Sequence, residues 1–167
     1  MLLKLILEIL VLWVWFALFM AWIVKGKGPL GGIFYYDKQV QQRVMELGLI
    51  DQKTLQKWRT AANSTLVVGD VVILFIMIVL VNGARSFWDC AWQFYVLFIG
   101  MELFDLAAVD ILWVAKTKWW DIPGTEDLQQ LWHDPTKKIK GKARLLIVTI
   151  PLAAIFGGLY CLIAGLI

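Results

Sequence analysis

Long runs of apolar residues, separated by polar segments, set the pattern of the whole chain. A helix that crosses the hydrocarbon core of a bilayer needs about 20 mainly apolar residues. Four stretches meet this requirement, over residues 2–24, 65–81, 87–115 and 145–167. The pattern predicts an all-α integral membrane protein that forms a single domain, residues 1–167, with four transmembrane helices.

The composition favours lipid as a partner. Hydrophobic residues make up 60% of the chain, which is more than a soluble core of this size buries, so lipid must cover the remainder. The net charge of +3 comes from basic residues that flank the apolar stretches. Membrane topology accounts for them, and no nucleic-acid partner is predicted. The predicted location is a bacterial inner membrane or its equivalent.

The distribution of Lys and Arg predicts the orientation. All of them except Lys4 and Arg85 lie in two polar segments, residues 25–64 and 116–144. Loops next to transmembrane helices are enriched in Lys and Arg on the cytoplasmic side. Both segments are therefore predicted to be cytoplasmic loops, and four crossings then place both termini on the opposite side.

Short amphipathic helices are predicted in both loops. In the first, Val40 and Val44 recur at helical spacing before Gly48, and Asp51 can cap a second short helix, so the pattern predicts a helical hairpin on the inner membrane surface. In the second, Thr125 can cap a short helix, and the basic run that follows is interpreted as an anchor for the last span.

Three carboxylates interrupt the third apolar stretch, and they are the most informative residues in the chain. Glu102, Asp105 and Asp110 share one broad helical face at about 100° per residue. Asp70, in the second stretch, is predicted to lie near the depth of Asp110. The sequence thus predicts an acidic ligand-binding cavity, open to the cytoplasm and lined by these four residues.

The neutralising partner of these acids decides what the cavity does, because a carboxylate at the bilayer centre costs at least about 2.5 kcal/mol. No Lys, Arg or His is expected at the depth of Glu102. Lys116, Lys118 and Arg144 are expected to reach toward Asp110 only. The acids are then expected to hold protons or a bound cation, unless they bond to one another across helices.

The second loop offers further ligand groups if it folds over the mouth of the cavity. These candidates are Glu126, Asp127, His133 and Asp134. Carboxylate oxygens suit hard cations, so a divalent cation is a candidate cofactor. His133 is the only histidine, which excludes a site built from several histidines of one chain.

Two cysteines are predicted at similar depths. Cys90 begins the third stretch, and Cys161 lies near the end of the fourth, on the same predicted side of the membrane. A disulfide between them is one expectation, and two buried free thiols are the other.

Small residues recur at helical spacing in the fourth stretch, where they predict a close-packing face. They are Ala154, Gly157, Gly158, Cys161 and Gly165. Spacing leaves open whether this face packs within the chain or against a second copy in a homodimer.

Three functions fit these features. The first is binding or transport of a cation, an organic amine or protons by the acidic cavity. The second is a membrane-embedded enzyme that acts on a lipid or isoprenoid, with the carboxylates as metal ligands or as general acid and base. The third is an accessory subunit of a membrane complex. The chain has no nucleotide-binding glycine loop, CxxC motif, nucleophile elbow or HExxH motif that would identify a reaction.

Overall fold

A computed structural model describes residues 2–165, and all regular elements in that range are helical. The α-helices are α1 (Leu2–Val24), α2 (Lys38–Glu46), α3 (Gln52–Phe75), α4 (Phe87–Phe104), α5 (Gln130–His133) and α6 (Thr136–Gly165). Two π-helical segments, Ile76–Val81 and Asp105–Ala115, continue α3 and α4. Short 3₁₀ helices cover Gly28–Tyr35, Lys118–Trp120 and Glu126–Leu128.

Three helical segments are long and apolar enough to cross a membrane. They are Leu3–Val24, Gln52–Val81 and Glu126–Ile163, and the last contains most of α6. The prediction of an all-helical protein with membrane-spanning helices is confirmed to this extent. The third predicted span, which forms α4 and its π-helical continuation, is not among the three, and its carboxylates lower its hydropathy. The last predicted span ends at residue 167, and residues 166 and 167 lie outside the described range.

The helices pack in a defined order. α4 makes its most extensive contact with α6 and its next with α1, whereas α1 and α3 touch only sparsely. α4 and α6 run antiparallel, because Tyr95 donates a hydrogen bond to the Leu146 carbonyl at one level and Glu102 meets Lys142 further along. α4 therefore lies between α1 and α6, and it also contacts the π-helical continuation of α3.

The first helix of the hairpin predicted in the first loop is confirmed as α2 (Lys38–Glu46), whereas the prediction of a second short helix is wrong. Asp51 does cap a helix, and its Oδ1 accepts a hydrogen bond from the Thr54 N–H at 2.6 Å. That helix does not stop after one or two turns, but continues as α3 into the second apolar stretch. The physical reason is that residues 59–66 contain no Gly or Pro to end it.

The last helix also begins earlier than predicted. α6 starts at Thr136, directly after Pro135, and not at residue 145. The Asp134 carboxylate accepts a hydrogen bond from the Thr136 N–H at 2.9 Å and so satisfies one of the free donors of the first turn. The basic run of residues 137–144 is therefore helical, and its side chains point in fixed directions.

Candidate functional site

A cavity of about 510 Å³ lies among α1, α3, α4 and α6. Asp70, Glu102, Asp105 and Asp110 all line it. The structure thus places the four predicted ligand residues at one cavity, while their role in binding a ligand stays a prediction.

Three of the four acids have basic partners, which for Glu102 and Asp105 is contrary to the expectation from the sequence. Lys142 pairs with Glu102 and, at 2.5 Å, with Asp105. Lys138 pairs with Asp110 at 3.1 Å. The expectation that no positive charge lies at the depth of Glu102 is therefore wrong.

The early start of α6 explains these pairs. Lys138 and Lys142 are four residues apart, so they share one face of the helix. Because α6 runs antiparallel to α4, that face brings Lys142 to Glu102 and Lys138 to Asp110. The spacing of these lysines is the signal in the sequence that could have revealed them.

π-helical geometry aligns the two aspartates. In an α-helix, Asp105 and Asp110 would lie roughly 140° apart around the axis. The segment Asp105–Ala115 is π-helical instead, and a π-helix bonds each residue to the fifth along the chain, so residues five apart are about one turn apart. Both carboxylates therefore face α6.

Asp70 differs from the other three acids. Its Oδ1 accepts a hydrogen bond from the Trp15 indole N–H at 2.9 Å, and its side chain is buried. Within residues 2–165, no Lys or Arg forms an ion pair with it. Asp70 is thus a buried acid held by a neutral donor, and no feature of the sequence pointed to Trp15.

Carboxylates outnumber ammonium groups around the cavity. The six acidic residues are Asp37, Asp70, Glu102, Asp105, Asp110 and Asp134, and the three basic ones are Lys137, Lys138 and Lys142. Lys137 lies 3.8 Å from Asp37. Apolar and aromatic side chains form the rest of the walls, including Phe16, Met20, Leu66, Phe98, Trp120 and Trp132. The cavity therefore combines an excess of negative charge with an apolar surface.

Two tyrosines complete the wall. Tyr36 donates a hydrogen bond from its hydroxyl to the Trp120 carbonyl at 2.7 Å, and burial raises the pKa of this phenol. Burial, together with the negative charge of Asp105 and Asp70, raises the pKa of Tyr35 to about 12. Both phenols therefore stay neutral near physiological pH and add no negative charge to the cavity.

Only one of the four loop candidates reaches the cavity, and that residue is Asp134. Asp127 instead pairs with Arg43 at 3.0 Å. Glu126 accepts a hydrogen bond from the Gly124 N–H. His133 bonds to Asp121 through Nε2 and to the Ala115 carbonyl through Nδ1, each at 2.8 Å. These contacts hold the second loop against its own residues, against α2 and against the end of the π-helical segment.

The arrangement gives no support for a metal centre. Across residues 2–165, no group of three or more His, Cys, Asp or Glu side chains is placed to hold a metal ion. At the predicted site, the Lys142 ammonium already lies against Glu102 and Asp105.

The two cysteines are both free, with Cys90 buried and Cys161 exposed, so the disulfide is not formed.

Comparison with models of known protein families, with curated proteins and with solved structures finds no match to this chain. What the cavity binds must therefore follow from its own residues. Their chemistry is that of a partly apolar site in which carboxylates already hold an ammonium group.

Proposed function

We propose that the protein binds or transports an organic amine in this cavity. The excess of six carboxylates over three ammonium groups carries the proposal, because an added cation brings the site closer to neutrality. Asp70 supplies a carboxylate that no Lys or Arg of the described chain already pairs.

The side chains that line the site favour an amine over a bare metal ion. Lys142 occupies the space between Glu102 and Asp105 as a primary ammonium, so the site already accommodates that group. Aromatic side chains such as Phe98 and Trp132 line the same cavity, and aromatic faces attract organic cations. A hard divalent cation would instead need several converging oxygen ligands.

The proposed setting is a membrane protein with four crossings. The carboxylate-bearing helix α4 packs between α1 and α6, which supports its inclusion as the fourth span, because its neighbours cover much of its surface. The enrichment of Lys and Arg in residues 25–64 and 116–144 supports cytoplasmic loops, with both termini on the other side. In that orientation the cavity lies at the cytoplasmic ends of the helices.

Thermal unfolding of the detergent-purified protein in a series of primary amines tests the proposal. A ligand that binds only the folded state, at a concentration of about 100 times its Kd, stabilises that state by about 2.7 kcal/mol. We expect amines to raise the Tm of the wild type and to raise that of Asp70→Asn much less. The matched control is Glu46→Gln, which neutralises an exposed acid on α2 away from the cavity. A wild type that no amine stabilises, or an Asp70→Asn variant that responds like the control, would contradict the proposal.

A second function has one observation in its favour. α3 and α6 make no extensive contact within the described residues. A membrane enzyme that acts on a lipid or isoprenoid needs lateral access to its site, and sparse contact between two helices allows it. Asp70 would then serve as a general acid or base. Formation of a new lipid product by the wild type and not by Asp70→Asn, in lipid vesicles, would favour this alternative.

A further inference from the structure

Helices α3 and α6 form two flanks of the cavity. Leu66, Val67 and Asp70 of α3 line it on one flank, and Lys138 and Lys142 of α6 line it on the other. These two helices do not pack extensively against each other in the described chain. The cavity occupies the gap between them, where Tyr35 and Tyr36 form part of its wall.

The α3 edge of this gap has the character of a lipid-facing surface. Val67 lines the cavity and is nevertheless 60% exposed. Val68 and Val71 beside it are 62% and 50% exposed, and the whole segment belongs to a helix apolar enough to cross a membrane. A continuous apolar surface thus leads from the outside of α3 into the cavity.

The interior of the cavity has a charged part and an apolar part. Glu102, Asp105 and Lys142 meet at one wall, where each side chain keeps about a fifth of its surface exposed. Phe16, Met20 and Leu66 belong to the α1 and α3 walls. Asp70 adds a carboxylate that no described Lys or Arg pairs. A ligand that matched both parts would therefore carry a cationic group and a hydrocarbon group.

We infer that the ligand is a single-chain amphiphile with a primary ammonium head, and that it enters from the bilayer through the gap between α3 and α6. Its ammonium meets the Asp70 carboxylate, which no described Lys or Arg pairs, and its chain passes over Val67 toward lipid. The choice of an amine rests on the proposed function, whereas the route and the hydrocarbon chain rest on the gap and on the apolar edge.

Chain length separates this inference from the proposed function. The test compares butylamine and dodecylamine with protein reconstituted in phosphatidylcholine nanodiscs, at equal total lipid, with binding measured by the shift in Tm. Each buried methylene contributes about 0.8 kcal/mol, or about fourfold in affinity. Because the chain also partitions into lipid, we expect a net gain of at least about tenfold for dodecylamine.

A substitution at the edge of the gap supplies the second measurement. Val67→Trp fills the entrance and is expected to weaken dodecylamine binding by at least about tenfold more than it weakens butylamine binding. The matched control is Val72→Trp, which adds the same bulk at a half-exposed position of α3 that does not line the cavity. If Val67→Trp fails to fold, Val67→Phe replaces it, and the comparison of chain lengths in the wild type needs no variant.

The outcomes distinguish the two claims. If neither amine binds the wild type, the proposed function fails. If both amines bind with equal affinity, or if dodecylamine binds Val67→Trp as tightly as Val72→Trp, amine binding stands and entry from the bilayer is overturned. Butylamine binding that Val67→Trp abolishes would also overturn it, because the valine would then contact the head group.

Discussion

Carboxylates are costly in a helix that packs among membrane spans, and in this protein lysines from a distant part of the chain neutralise them. The Lys142 ammonium contacts both Glu102 and Asp105, and Lys138 contacts Asp110. The attraction within an ion pair offsets the free energy of removing its charges from water only when the geometry is good and both partners are present. The ion pairs with α6 therefore explain how α4 tolerates its acids. A bound ligand is not needed to neutralise each of them.

Removal of the Lys142 ammonium should therefore destabilise the protein. In Lys142→Met, two carboxylates remain close together in the cavity without their shared cation, and breaking a buried pair typically costs about 3–5 kcal/mol. Because these side chains keep about a fifth of their surface exposed, we expect a loss of about 2–4 kcal/mol in the free energy of unfolding.

Reversible denaturant unfolding in a mild detergent measures this loss, with Lys140→Met as the control. Lys140 lies on the same helix, and its side chain is exposed, so its replacement should cost less than about 0.5 kcal/mol. Equal stability of the two variants would show that Lys142 does not neutralise the acids.

Helix α3 shows how an element supports the site. Its Gly69 packs against the ring of Trp15 on α1, and that indole N–H donates to Asp70, the next residue on α3. A Cβ at position 69 would clash with the ring. The absence of a side chain at Gly69 thus allows α1 to approach α3 closely enough to hold the Asp70 carboxylate.

The contrast between two helical glycines tests this interpretation. Gly69→Ala should destabilise the protein by about 1–2 kcal/mol, because the cost of overpacking exceeds the gain of up to about 1 kcal/mol in helix propensity. Gly141→Ala on α6 should stabilise it by up to about 1 kcal/mol, since a Cβ there meets no atom of the described chain within 4 Å. Thermal unfolding of both variants measures the difference, and a stabilised Gly69→Ala would contradict the close approach of Trp15.

The assembly of the helices leaves a broad apolar exterior. Large hydrophobic side chains such as Leu3, Val68 and Ile147 are 70%, 62% and 71% exposed, which suits contact with lipid tails.

The small-residue face of α6 is divided between two environments. Gly157 is buried against the Phe87 backbone and ring of α4, whereas Gly158 meets no neighbour within 4 Å in the described chain.

This division predicts different effects for two adjacent substitutions. Gly157→Leu should destabilise the fold by about 2 kcal/mol or more, because its side chain must displace α4. Gly158→Leu should leave unfolding nearly unchanged. If Ala154 and Gly158 form the predicted homodimer face, Gly158→Leu should convert the dimer to a monomer, which light scattering in detergent measures. A variant that stays dimeric would place the interface elsewhere, and a wild type that is already monomeric would exclude the homodimer.

Local patterns in the sequence predicted much of the architecture. Apolar runs predicted the helical membrane class, and the cap at Asp51 was predicted correctly, because capping and hydrophobic periodicity act over a few neighbouring residues. The four acids were singled out from their burial cost alone. The same local rules misjudged where α3 and α6 begin, since a helix extends in either direction until a residue or a contact stops it.

Contacts between segments far apart in the chain set the electrostatics of the site. Lys142 reaches Glu102 only because α6 begins at Thr136 and runs antiparallel to α4. Trp15 meets Asp70 only because α1 packs on Gly69. The sequence therefore specified a helical membrane protein with carboxylates to neutralise. Helix register and packing order then brought the lysines to these carboxylates and formed the cavity around them, because they depend on how whole helices fit together and not on any one stretch of residues.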